Sequence, residues 1–288
     1  MTIEAKIVCD SLHPNGSRLT TYVIRYPRWL HGEVMTHRSL SRNASSSRAI
    51  PVAKFVAWAR EEPAMPEVWF KNKTGMQGTE LMDPETIAKC EAIILKMRDV
   101  CAAGTEELSA LGLHKQTANR YLEPWHHITV IVTATEWANF FALRYHEMAE
   151  PHIHILARMM LQAYYAPKPT QLEVGQWHLP FIRDEERQTV KVEELLKYSV
   201  ARCARVSYLN HDGSNPDWVK DIALHDALVV QKPLHASPAE HQAQVNGYGC
   251  PSTRGNLAVG WTQYRKTLVD EVVRELPKLR PEHALEAP

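Results

Sequence analysis

The chain has 288 residues, 44% hydrophobic and 23% charged, enough for a large core in one sizeable domain or two small ones. Its 33 Lys and Arg offset 33 Asp and Glu, so no global charge draws it to nucleic acid or an anionic membrane. Any anion it binds must be held by local clusters of Arg.

The opening MTIEAKIVCD lacks a basic stretch followed by an apolar one, and no run of about 18 apolar residues occurs. A cytoplasmic protein without a membrane span is therefore expected. Cys9, Cys90, Cys101, Cys203 and Cys250 are odd in number and lack zinc-ribbon spacing, which predicts reduced structural thiols.

In chain order, IEAKIVCDSL and SRLTTYVIRY read as strands joined at His13-Pro14-Asn15-Gly16, where Asn-Gly between alternating runs signals a hairpin. RWLHGEVMTHR reads as a short amphipathic helix after Pro27, followed by the polar SLSRNASSSRAIP and a helix over VAKFVAWAREE. Asp83-Pro84-Glu85 has the composition of a helix start: a capping carboxylate, a first-turn proline and an acid near the dipole. HITVIVTAT (127–135) is β-branched and reads as a buried strand, with Thr135 expected to cap a helix beginning at Glu136. Further helices are predicted from Pro151, over Lys191–Ala204 and from Pro216 to Val229. HASPAEH (235–241) reads as a turn entering a helix, and the tail from 275 to 288 as mobile. No low-complexity linker divides the chain, so one α+β domain over 1–288 is expected.

The stretch Thr36–Arg48, THRSLSRNASSSR, packs three Arg, one His, one Asn and five Ser into thirteen residues. Guanidinium forks, hydroxyls and exposed backbone N–H groups together suit a phosphate. On composition alone a solvated Ser/Arg loop, or a non-catalytic nucleotide- or RNA-binding module, remains an equal alternative.

That stretch resembles the signature of flavin-dependent thymidylate synthases, an Arg-His-Arg triplet followed by spaced Ser, Asn, Ser and Arg; His37, Arg38, Ser41, Asn43, Ser46 and Arg48 fall on it. Arg120-Tyr121-Leu122-Glu123-Pro124, the following strand, and Asn139-Phe140-Phe141-Ala142-Leu143-Arg144 resemble the family's second half. His235-Ala236-Ser237-Pro238-Ala239-Glu240-His241 is similar to the family's flavin motif, and Ala204-Arg205-Val206-Ser207-Tyr208 to the strand that precedes it. In the family these last two segments come before the Arg-His-Arg signature; here they follow it, which suggests circular permutation.

The resemblance implies an α+β fold with a central twisted antiparallel sheet flanked by helices. It also implies FAD, NADPH and methylene-tetrahydrofolate acting on C5 of dUMP in a homotetramer whose sites lie between subunits. His37, Arg38, Asn43, Asn139, Ser207, His235 and Ser237 would hold the flavin. Glu33, Ser46, Ser47, Arg48, Arg120 and Arg144 would hold the nucleotide, with Arg144 stabilising charge on the pyrimidine ring. No metal is implied.

Four positions depart from the family pattern: Thr36 stands for the first Arg, Ala44 for a Glu, Glu33 for a Gln and Ala239 for a Phe. A carboxylate at Glu33 accepts from a cytosine amino group better than it pairs with a uracil carbonyl. A variant making 5-methyl- or 5-hydroxymethyl-pyrimidine deoxynucleotides from dUMP or dCMP is therefore the second reading. The fifteen histidines include His126-His127 and His152-x-His154, whose spacing does not put both rings on one helix face; stacking on a flavin or folate ring is the competing role. No Gly-x-Ser-x-Gly elbow, Walker loop or Gly-x-Gly-x-x-Gly fingerprint occurs, so any flavin site would be unlike a Rossmann one.

Overall fold

A computed structural model describes residues 3–166, 168–206, 214–232, 234–247 and 255–272. Ser207, Cys250 and the tail from 275 lie outside the described residues.

The elements in order are β1 (Glu4–Leu12), β2 (Arg18–Pro27), α1 (His31–Met35), β3 (Ser41–Ala44), α2 (Val52–Glu61), α3 (Pro84–Ala110), α4 (Lys115–Ala118) and β4 (His127–Ala134). There follow α5 (Ala138–Arg144), α6 (Pro151–Tyr165), β5 (Thr170–Gln171), β6 (Trp177–His178), α7 (Asp184–Thr189), α8 (Val192–Arg205), α9 (Trp218–Val229), β7 (Ala243–Val245) and β8 (Trp261–Gln263). Short 3-10 turns cover Arg28–Leu30, Ser47–Ala49, Asn119–Trp125, Ser237–Glu240 and Tyr264–Thr267.

The main sheet runs β3-β4-β2-β1-β5 and is mixed: β5 pairs parallel to β1, while every other pairing in it is antiparallel. This corrects the expectation of a purely antiparallel sheet. The parallel pair spans only two residues, too short to leave an alternating signature in sequence. The β1–β2 hairpin forms as its turn residues predict, with Gly16 at φ +87° and the Asn15 side chain accepting from Ser17 N at 2.9 Å.

Strand alternation gives the sheet two unlike faces. Tyr22, Ile24 and Tyr26 of β2 and Ile128, Val130, Val132 and Ala134 of β4 point to one face. There they meet Ile153, Leu156, Ala157 and Met160 of α6 and Trp137 and Phe140 at α5. On the other face Ile131 packs against Cys203 and Val206 at the end of α8. Beside it lies a buried polar ladder: the Thr21 and Thr133 hydroxyls are 2.7 Å apart, and each contacts a histidine, His178 and His241, at 2.8 Å. A second sheet, β6-β7-β8, closes this end around Leu19, Leu257 and Trp261.

Helix boundaries follow their caps. Asp83 accepts from Thr86 N at 2.9 Å and starts α3 at Pro84, as the sequence predicts. Glu150 accepts from the N–H groups of His152 and Ile153 and starts α6 at Pro151. Thr135 does not cap α5, which begins at Ala138; its hydroxyl accepts from Ala258 N at 2.9 Å and pins the segment before β8. The polar stretch after α1 contains a strand, β3, whose Ser41 and Asn43 face the same side as Thr133 and Ile131. Cys9, Cys90, Cys101 and Cys203 are free thiols, and no helix among the described residues is long and apolar enough to cross a membrane.

Candidate functional site

A cleft of about 600 Å³ opens where β3 gives way to the Ser45–Ile50 loop. Backbone pairing fixes its inner wall: Ser45 N donates to Thr129 O at 2.9 Å, and Thr129 N donates back to the Ser45 hydroxyl at 3.3 Å. Asn119, fully buried, donates from one amide nitrogen to Ser47 O and Ile50 O at 2.8 and 3.0 Å, clamping the 3-10 turn that carries Ser47 and Arg48. Ser47 donates to Glu123 at 2.6 Å, and the same carboxylate pairs with Arg28 and Arg120 at 3.0 Å. Ser46 and Arg48 stand exposed on the rim, and Arg48 makes no ion pair with any described residue.

The opposite wall comes from a part of the chain nearly two hundred residues away. His235, Ser237 and Pro238 line the same cleft, and the Ser237 hydroxyl donates to the Asn43 side chain at 3.4 Å. Asn43 in turn donates to Cys203 O and Ala204 O at 2.9 and 3.4 Å, tying β3 to the end of α8. Val206, on the cleft edge, holds φ +62°, a conformation costly for a β-branched residue. Asn43, Ser46, Ser47, Arg48, His235 and Ser237 are thus gathered around one opening.

Arg144 and Glu33 lie elsewhere. They line a separate hollow of about 680 Å³ with Gln77, His146, Met148 and Glu150. Arg144 Nε donates to His37 Nε2 at 2.8 Å, and its two terminal nitrogens reach Glu33 at 3.4 Å and Thr36 at 3.2 Å. Its ion-pair partner is Glu33, 111 residues earlier in the chain. Burial, with Arg144 and Arg42 nearby, pushes the His37 pKa down, so the ring is neutral and can accept the Arg144 proton. Burial and the Glu150 carboxylate raise the Glu33 pKa, and Arg144 opposes them.

Arg38 is exposed in a third hollow of about 390 Å³, which it shares with Ser237, Arg42 and Arg265. Asn139 is exposed on α5 and lines none of the three. Arg120 is half exposed and joins the first cleft only through Glu123.

Sequence patterning did not single out Arg25, Arg28, Glu62, Trp58, Asn119 or Glu123 around the first cleft. The signal available for Arg25 was its place on the same strand face as Thr21 and Val23. His152 is committed to structure, accepting from Glu67 N at 2.8 Å and contacting Glu150 at 2.6 Å, and His154 contacts His146 O at 3.0 Å. Among the described residues no group of three or more His, Cys, Asp or Glu side chains is arranged to hold a metal.

Comparison with protein-family models and with curated proteins gives no match. Among solved structures, the UMP/dUMP methylase PolB from Streptomyces cacaoi bound with 5-Br UMP overlays with TM-score 0.47 at 16% identity, covering 56% of this chain and 88% of that one. The same enzyme bound with 5-Br dUMP gives TM-score 0.43 at 18% identity, over 51% of this chain and 66% of that one. Thymidylate Synthase X from Helicobacter pylori with FAD and dUMP gives TM-score 0.35 at 16% identity, over 51% and 67%.

Proposed function

We propose that the protein is a flavin-dependent synthase that transfers a one-carbon unit from methylene-tetrahydrofolate to C5 of a pyrimidine deoxynucleotide, dUMP in the first reading. One observation carries this reading. The two segments that resemble the family's signature and its flavin motif, reversed in chain order, converge on a single cleft through the Ser237–Asn43 contact. A circular permutation that preserves the site is the economical account of that convergence.

In this reading Arg48, a rim cation without an ion pair among the described residues, takes the nucleotide phosphate with the Ser46 hydroxyl. Ser47, expected to join them, gives its proton to Glu123 and braces the loop instead. Asn43, His235 and Ser237 would hold the flavin, with His37, Arg38 and Asn139 contributing from other copies. The cleft suits a cofactor of that kind in volume, and it contains a buried donor without a partner, Arg205 Nε. The flavin supplies the reducing step when bound, with NADPH as its electron source. The chain's own share is to position the reactants and to place charge.

Arg144 is preset for that share. Three hydrogen bonds fix its guanidinium, and a donor so held can stabilise negative charge on the pyrimidine ring without reorganising. Because Arg144 and Arg48 line different hollows of one chain, the complete site requires a homotetramer or another assembly that brings Arg144 of a second copy to the Arg48 cleft.

Glu33 favours a second substrate. Its carboxylate lies against Arg144, so a base presented to Arg144 also meets an acceptor, which suits the amino group of dCMP.

The test is an absorbance spectrum of the purified protein supplied with FAD, then anaerobic reduction with NADPH and addition of methylene-tetrahydrofolate with dUMP or dCMP. A flavin spectrum with turnover is expected, and the product mass names the base and the one-carbon group. A protein that stays colourless with FAD present would end the synthase reading.

A further inference from the structure

The cleft extends beyond the phosphate rim to an end that no part of the family resemblance assigns. Thr129 sits beside Ser45, and His127 lies two residues further along β4, about 7 Å away at the strand rise. Because side chains alternate, His127 faces the same side as Thr129 and lines the cleft with it. Around it stand Arg25, Arg28, His126, Phe55, Trp58 and Glu62.

Three features of this end point to a ligand. Both ring nitrogens of His127 are buried without a hydrogen-bond partner among the described residues, and so is Nε2 of His126, a residue only 5% exposed. Buried polar groups are almost always paired, and leaving one unpaired carries its full desolvation penalty. His126 is locked in place, its ring stacked on Phe55 with centroids 3.5 Å apart and planes within 6°. Trp58, by contrast, is 41% exposed and lines the cleft, with the Lys54 ammonium over its ring at 4.9 Å from the centroid, which leaves the other face for a stacked ring.

The charges say what kind of ligand fits. Arg25 is matched by Glu62 at 2.9 Å and Arg28 by Glu123 at 3.0 Å, so both arginines at this end are already paired. Burial, reinforced for His127 by Arg25 and for His126 by Arg28, drives both histidine pKa values down to about 4. Each ring is thus neutral near pH 7; His127 offers one N–H donor and one bare nitrogen acceptor, and His126 offers Nε2 alone. A phosphate or carboxylate gains little from such groups. A neutral ring with adjacent C=O and N–H groups finds a partner in whichever His127 nitrogen is turned toward it, donor or acceptor.

We propose that the His126–His127–Trp58 end of the cleft is a second subsite, which takes a neutral planar heterocycle with a lactam edge, stacked on Trp58 and hydrogen-bonded to His127. The pyrimidine of a nucleotide, the flavin ring and the pterin of a folate share that chemistry. The inference rests on the reading of this cleft as a ligand site, but not on the synthase reaction. The His127 nitrogens reach a ligand by a turn of the imidazole about its broad terminal torsion.

The experiment titrates wild-type protein and His127→Phe with three phosphate-free probes, 2′-deoxyuridine, riboflavin and folic acid, and separately with inorganic phosphate. We expect at least one heterocycle to bind with quenching of Trp58 fluorescence, and His127→Phe to weaken it about tenfold, the worth of one good hydrogen bond. Phosphate affinity should stay unchanged, and the probe that responds identifies the source of the ring. His127→Gln, which keeps a donor and an acceptor, should bind within about threefold of wild type. Should His127→Phe fail to fold, the ring ¹⁵N resonances of His127 in labelled wild-type protein read the contact directly, and the responding probe must shift them. Equal binding by wild type and His127→Phe, no heterocycle bound, or unmoved His127 resonances would overturn the proposal. A heterocycle held at His127 by a protein with no synthase activity would support the subsite while ending the synthase reading.

Discussion

Arg144 shows how a single side chain can be prepared for electrostatic work. A guanidinium held by an imidazole, a carboxylate and a hydroxyl has little freedom left to lose when charge develops beside it. Arg144→Ala is expected to lower kcat about a hundredfold, corresponding to roughly 3 kcal/mol of barrier, while the far-UV spectrum is unchanged. Unaltered turnover would remove Arg144 from the reaction. The residue type and position of Arg144 were legible in the sequence. Its partners were not, since Glu33, Thr36 and His37 come from α1 and its end, more than a hundred residues earlier.

At the scale of elements, the first cleft depends on a turn that has little stability of its own. The turn Ser47–Ala49 spans three residues and is held from outside by Asn119, whose amide serves the carbonyls of Ser47 and of Ile50 just beyond it. Asn119→Ala leaves those buried groups unpaired, which costs about 1–3 kcal/mol and frees the loop. Calorimetry should show the loss of stability, and phosphate affinity should fall with it; a variant of normal affinity would mean the loop is held by other contacts.

The α6 cap is the matching case on the other face of the sheet. Glu150→Ala removes the acceptor for His152 N and Ile153 N, a loss of about 1 kcal/mol at a helix that supplies Leu156 and Met160 to the core. A lower thermal midpoint is the expected outcome, with no midpoint change ruling out the cap. Helices with a capping residue and a proline were readable in advance. The strand β3 was not, because four residues rich in Ser and Arg become a strand only by pairing with β4.

For the whole molecule, buried neutral histidines set the response to acid. His126 and His127 have pKa values near 4, and His178 and His241 near 3, all depressed chiefly by burial. Above about pH 7 neither folded nor unfolded chain protonates them, and their contribution to stability is full. As the pH falls below the ordinary value of 6.5, the unfolded chain takes up protons that the folded one refuses, so stability drops steadily toward pH 3–4. A thermal midpoint that falls between pH 7 and pH 4.5 is expected; a flat profile would show that these rings take up protons as readily in the folded chain as in the unfolded one.

Assembly can be tested at the same scale. Arg48→Ala and Arg144→Ala should each abolish most activity, yet coexpressed they should recover part of it, because some mixed sites receive both arginines. Activity no higher than either variant alone would place both residues in one chain's site.

The sequence by itself determined the local grammar: the Asn-Gly hairpin, the capped start of α3, the proline start of α6, the apolar face of β4, and the chemical character of the Thr36–Arg48 stretch. These are properties of neighbouring residues, set by backbone preference and by alternation along a strand. Tertiary structure alone decided that HASPAEH meets Asn43, that Arg144 and Arg48 occupy different hollows, and that the His127 ring nitrogens are buried with no partner among the described residues. Those facts come from strand order and long-range packing, where residues far apart in sequence are brought together by burying a shared core, and no local pattern encodes which of them will touch.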